Sequence, residues 1–282
     1  MLSVVCWRWT APGGPSFGPE YPNRLRAALE RHLHLEHELV LVTDDAVGID
    51  PRIRIVPIPT TFAHTPRCRR RMQVFSGEFA VAYLGPRILS IDLDVVIVDD
   101  LTPIVDRQEP LVMWKVGYAG VFSGSFHLMD AGILDDLWRR FAENPEGYPV
   151  KVSKERVPSD QAMLNAYLTD KPVPFWTEAD GFVTYFGKGY ERQERHGVGP
   201  RLTQLPPGAR IVVMGSADKA QLDEGRDPWM REHWTSLGDE TSPPVGSRSQ
   251  EGGLCNPIPS ERPGEPGAGN VRAPGVSEDA AQ

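Results

Sequence analysis

Apolar residues in this chain follow two rhythms, short unbroken runs and stretches in which leucine or an aromatic residue returns every three or four positions. The first rhythm marks buried strands and the second marks helices packed on one face. Leu2 to Trp9 is a β-branched and aromatic run that predicts a first strand, closed by the turn-forming Pro12-Gly13-Gly14-Pro15. Pro22 can open a helix in its first turn, and Leu25, Leu29 and Leu33, with Ala28 and His32, recur along one helical face. Leu39 to Val42, ending at Thr43-Asp44-Asp45, and Ile53 to Val56 predict two more strands. Arg67 to Phe79 predicts a basic helix, and the apolar run Ile88 to Val98 follows it.

The second half is less regular. Leu111 to Trp114 and Val121 to Leu128 read as strands, and Ile133 to Phe141 and Asp160 to Leu168 as helices. Short strands are expected at Pro174 to Trp176, Phe182 to Tyr185 and Arg210 to Val213, with a last helix from Trp229 to Trp234. Alternation of strands with helices predicts an α/β domain with a mostly parallel central sheet flanked by helices, its functional loops at the carboxyl ends of the strands. Asp44, Asp45, Asp92 and Asp94 fall at such ends. From Gly238 to Gln282 the chain is rich in Gly and Pro and carries no aromatic residue. Too little apolar surface is available there to offset the entropy of ordering, so the expected organisation is one domain over residues 1–237 and a disordered tail over 238–282.

Composition narrows the partners. The chain has 282 residues, 40% of them hydrophobic, enough for a substantial core. A net charge of −8 and a pI near 5.4 argue against nucleic-acid binding through the overall field. Cys6, Cys68 and Cys255 are odd in number and widely spaced, unlike a zinc or disulfide framework. No secretory leader is evident at the start, and nowhere do about 18 apolar residues run together as a membrane helix needs. The expectation is a soluble, cytoplasmic protein.

The densest chemistry lies in Ile91-Asp92-Leu93-Asp94-Val95. In an extended segment the two carboxylates point to one side and Leu93 to the other, into the core. Two acids so placed can share a hard divalent cation such as magnesium or manganese, which takes oxygen ligands and bridges carboxylates to substrate phosphates. The plain alternative is a solvated turn. A third reading is a phosphatase of the haloacid dehalogenase type, with the first Asp of the pair as covalent nucleophile.

With these residues in view, the chain resembles GT-A glycosyltransferases of family 8, the glycogenin and bacterial galactosyltransferase-like group. The landmarks are the basic Arg69-Arg70-Arg71-Met72-Gln73-Val74-Phe75, the Asp92-Leu93-Asp94 motif, Phe122-Ser123-Gly124-Ser125-Phe126 and Ser159-Asp160-Gln161-Ala162-Met163-Leu164-Asn165, in family order between about Met1 and Trp234. The resemblance implies a GT-A fold and transfer of a sugar from a nucleotide-sugar donor, a UDP-sugar favoured, to an acceptor hydroxyl on a saccharide, lipid or protein, with retention. It implies that Asp92 and Asp94 hold manganese or magnesium and that Asp160 and Gln161 sit beside the transferred sugar. Arg71, Ser123 and Lys219 would border the donor.

Two departures stand out. Ser123 occupies a position where the family places Asn. The late family element with a metal-ligating His is matched by Val212-Val213-Met214-Gly215-Ser216-Ala217-Asp218-Lys219, which has no histidine. Asp218 and His233 are the substitutes to consider. The alternative these departures raise is a GT-A-like protein that binds a nucleotide sugar but is impaired in turnover. Tyr185, Lys188 and Tyr190 could border the ligand, and Trp114 and Trp176 are expected in the core unless they stack on a sugar ring.

Overall fold

The computed structural model describes residues 1–10, 17–59, 65, 67–117, 119–145, 159–185, 202–214 and 219–236. The tail expected over 238–282, and Lys188, Tyr190, Asp218 and Cys255, lie outside them. The described residues form a mixed α/β structure around a seven-stranded, mostly parallel sheet with the order β3-β2-β1-β4-β7-β6-β8, and a three-stranded sheet with the order β5-β10-β9. The strands are β1 (Leu2–Arg8), β2 (His37–Thr43), β3 (Arg54–Pro57), β4 (Arg87–Ile91), β5 (Val95–Ile97), β6 (Leu111–Val116), β7 (Val121–Asp130), β8 (Phe175–Trp176), β9 (Phe182–Tyr185) and β10 (Ile211–Met214). Strands β3, β2, β1 and β4 run parallel, β8 runs parallel to β6, and β7 is antiparallel to both β4 and β6.

The apolar stretch Val4 to Trp7 in β1 reflects burial on both faces of the sheet. Val4 and Cys6 join the core beneath the Glu20–His32 helix, while Val5 and Trp7 join a second core with Met72, Phe75 and Met163. The Glu20–His32 helix contributes Leu25, Ala28 and Leu29, each at most 2% exposed. Burying one such leucine is worth roughly 1.5–3 kcal/mol. This helix starts at Glu20 rather than Pro22, and proline is tolerated because the first turn has no carbonyl partner for its amides.

Two expectations need correction. The basic stretch is not one helix over Arg67 to Phe79. It is a 3-10 segment, Arg67–Phe75, followed by a helical turn at Gly77–Phe79 that continues as a wider π turn, Ala80–Leu84. Ser76 makes the break, since it is extended and its hydroxyl accepts the amide of Phe79 as a fresh helix cap.

The second correction concerns the run Ile88 to Val98, which is two strands in two different sheets. The chain leaves β4, turns through Leu93 and Asp94, and enters β5, which pairs antiparallel with β10. The extended geometry expected for Asp92-Leu93-Asp94 is therefore replaced by a turn. Leu93 is still buried, at 2% exposure. The turn is pinned at both ends, with Asp92 N–H donating to the Ser125 carbonyl at 2.9 Å and Met214 N–H donating to the Asp94 carbonyl at 3.4 Å.

Trp114 and Trp176 belong to the core as expected. Both rings stack on Phe182, with centroids 5.3 and 5.6 Å away, and Trp176 Nε1 donates to the Ile104 carbonyl at 3.1 Å. Among the described residues, no helix is long and apolar enough to cross a membrane.

Candidate functional site

Three residues in a turn of 3-10 helix place Cys68, Arg71 and Val74 in one row. The neighbouring arginines are used elsewhere. Arg69 donates to the Pro145 carbonyl, and Arg70 donates to the Thr65 carbonyl at 2.8 Å and covers the Trp9 ring. Arg71 points to the end of β4. Its Nη1 pairs with Asp92 Oδ1, and its Nε and Nη2 donate to Asp160 Oδ2 at 2.9 and 2.5 Å. One planar guanidinium thus joins acids from two distant segments, a task that suits its fixed fork of donors.

Asp160 is placed by the start of the Asp160–Leu168 helix, where the Ser159 hydroxyl accepts the Ala162 amide at 3.1 Å. The helix is tied to β7 by Asn165, whose side chain accepts from Phe122 N–H at 2.8 Å and donates to the Phe122 carbonyl at 2.7 Å and the Gln161 carbonyl at 2.8 Å. Gly124, on β7, faces the start of the helix. Its amide faces Gln161 Oε1 at 3.4 Å, and a Cβ there would stand 3.5 Å from Asp160 Oδ2 and 3.8 Å from Arg71 Nη2. Ser123 is turned inward, 3% exposed, with its hydroxyl accepting the Ser125 amide at 3.1 Å.

Asp94 has a different environment from Asp92. Burial pushes its carboxyl up to about 6, and the positive charges of Arg71 and Lys219 only partly oppose that rise. Lys219 lies with its ammonium over the rings of Phe17 and Tyr21, at 4.9 and 4.7 Å. Tyr21 donates to Asp223 Oδ1 at 2.5 Å, and its hydroxyl is held above its ordinary range by burial and then by that acid.

Of the residues singled out in the sequence, Arg71, Asp92, Asp160 and Gln161 come together, and Lys219 acts on Asp94. His233 does not join them, since its ring lies 6.4 Å from that of His32. Tyr185 is fully buried, its hydroxyl donating to Asp227 Oδ2 at 2.8 Å with Gln221 Oε1 3.0 Å from the same oxygen. Asp44 accepts from Thr10, and Asp45 pairs with Arg8, so both secure the end of β1. Among the described residues, no group of three or more His, Cys, Asp or Glu side chains is arranged to hold a metal.

Two members were missed in the sequence. Cys68 lies against Asp160, and its thiol is pushed up to about 11 by burial and then by that acid, which leaves it a neutral thiol. His127 on β7 is 2% exposed, and burial, with the charge of Arg71 second, pushes it down to about 3. The available signal was a polar residue set between Phe126 and Leu128 in an apolar strand.

Comparison with protein-family models and with curated proteins finds no match to this chain.

Proposed function

We propose that the chain is a glycosyltransferase of the GT-A kind that moves a sugar from a nucleotide-sugar donor, a UDP-sugar first among them, to an acceptor hydroxyl. The observation that carries this reading is the bridge from Asp92 through Arg71 to Asp160, because it joins three separate sequence landmarks of the resemblance at one place. The site lies beyond the carboxyl end of β4, beside the turn that links the two sheets, where open α/β folds commonly bind ligands.

Asp92 and Asp94 would hold manganese or magnesium. Carboxylate oxygens are the ligand type such a hard cation takes, and these two acids would supply only part of its shell, since among the described residues no group of three or more His, Cys, Asp or Glu is arranged to hold a metal. When bound, the cation neutralises charge that gathers on a departing diphosphate. The chain's own residues divide the remaining work. Arg71 can turn part of its donor fork from Asp92 to phosphate oxygens, Asp160 can accept from sugar hydroxyls, and Gln161 offers an amide beside Gly124. Lys219 adds positive charge near Asp94, and retention at the anomeric carbon follows from the resemblance alone.

A second reading, binding without efficient turnover, is favoured by the histidine-free Val212 to Lys219 stretch. The phosphatase reading is disfavoured because Asp92 is ion-paired with Arg71, which weakens it as a nucleophile.

Thermal unfolding with UDP or GDP, with and without manganese, tests the proposal, since a ligand bound only by the folded state raises the midpoint. A rise with UDP and manganese together is expected, and Asp94→Ala should remove its metal dependence. Midpoints unmoved by either nucleotide would overturn it. Sugar release from UDP-sugars then separates transferase from pure binder.

A further inference from the structure

His127 is a buried imidazole whose two ring nitrogens both lack a hydrogen-bond partner. Its neighbours are not apolar throughout. It lines a small cavity with Arg71, Ser90, Gly124 and Asp160, whose remaining walls are Val74, Phe75 and Leu164. Ser90 on β4 is its cross-strand partner, and the Phe75 ring covers it with centroids 5.5 Å apart. Buried polar groups are almost always bonded, to protein or to ordered water. The free space among these side chains suits about one water molecule.

We propose that His127 is a positioning residue that orients the Arg71–Asp160 pair through one internal water bound in this cavity. A neutral imidazole offers one N–H donor and one acceptor nitrogen, so it can donate to the water while the water donates to the Asp160 carboxylate. Arg71 and Ser90 supply the further partners that an internal water needs. The arrangement also explains the location of the histidine. At 2% exposure it does not meet a ligand from solvent, but through the water it can fix the angle at which Arg71 and Asp160 face one.

The structural arm of the test does not depend on the proposed function. Crystal structures of the full chain and of His127→Leu, refined until internal waters are visible, should show one water bonded to His127 and Asp160 in the first and a displaced Arg71–Asp160 pair in the second. A dry cavity, or an ion pair unmoved by the substitution, overturns the proposal. The functional arm rests on the nucleotide-sugar reading and uses UDP with manganese as probe. His127→Leu should weaken binding about tenfold, a change of about 1.4 kcal/mol, and His127→Gln, which keeps a donor and an acceptor, should restore most of it. Equal loss in both variants, or loss in neither, also overturns the role. If the unaltered chain binds no nucleotide, the function reading fails by itself, and the crystal structures still decide the place of His127.

Discussion

Asp160 receives both of its Arg71 hydrogen bonds on a single oxygen, Oδ2, from Nε at 2.9 Å and from Nη2 at 2.5 Å. The third contact of the same guanidinium goes to Asp92. Side chains of the three residues are 18%, 10% and 21% exposed for Arg71, Asp160 and Asp92, so solvent screens the cluster only in part.

Removal of the guanidinium should therefore cost stability. Breaking a fully buried pair costs about 3–5 kcal/mol, and partial exposure reduces that to roughly 1–3 kcal/mol for Arg71→Met. Arg71→Lys should recover less than half of the loss, because a single ammonium cannot reach both acids in the geometry of the fork. Denaturant unfolding of the three proteins at neutral pH measures this. A midpoint unchanged in Arg71→Met would show that the bridge adds no net stability.

Asn165 bonds both backbone groups of Phe122 and the carbonyl of Gln161. Truncation to Ala leaves those groups without their partner, at a cost of about 1–3 kcal/mol. Asn165→Asp should be no better, since a carboxylate keeps the acceptor for Phe122 N–H but turns like charge on two carbonyls. Chemical denaturation checks both, and a loss confined to Asn165→Ala would mean that packing rather than donor geometry matters.

Much of this architecture was legible because its causes are local. The period of Leu25 and Leu29 predicts a helix, and the two-sided burial of β1 produces the apolar stretch Val4 to Trp7. The turn at Asp92-Leu93-Asp94 was not legible, because Ile88 to Val98 is apolar on both sides of it and the pattern runs across the turn without a break signal. What decides is the tertiary pairing of Val95 to Ile97 with β10, more than a hundred residues later. The bridge from Arg71 to Asp160 spans 89 positions, beyond any periodicity. The resemblance nevertheless pointed to both residues. His127 was hidden for the opposite reason, since one polar residue in a strand signals its place only when the cavity behind it is known.

Gly181 has a φ of +94°, and its carbonyl accepts the amides of both Arg210 and Ile211. A Cβ there would meet Arg210 Cγ and the Gly208 carbonyl at 2.7 Å. Gly181→Ala combines a disfavoured backbone with a clash against main chain, and should destabilise by roughly 1–3 kcal/mol. The contrasting variant is Gly124→Ala, where the nearest atom would be 3.5 Å away, an ordinary contact. It should unfold within about 1 kcal/mol of the parent chain. Similar losses at both sites in thermal melts would contradict this contrast.

The acid limb of stability carries the signature of His127. Its folded value lies near 3, against about 6.5 in an unfolded chain, so between these values the unfolded state binds the extra proton. Its contribution is complete above about pH 6.5 and is lost as the pH falls, at no more than about 1.4 kcal/mol per pH unit. Asp94 acts in the opposite sense, because its folded value near 6 lies above the ordinary carboxylate range and the folded state binds that proton first. Comparison of the parent chain with His127→Gln cancels the Asp94 contribution, which both proteins share. Unfolding free energies measured from pH 7 to pH 4.5, in chelator to exclude metal, should show a difference that shifts steadily in favour of His127→Gln as the pH falls. Parallel curves for the two proteins would mean that His127 is already protonated, or reaches solvent, in the folded state.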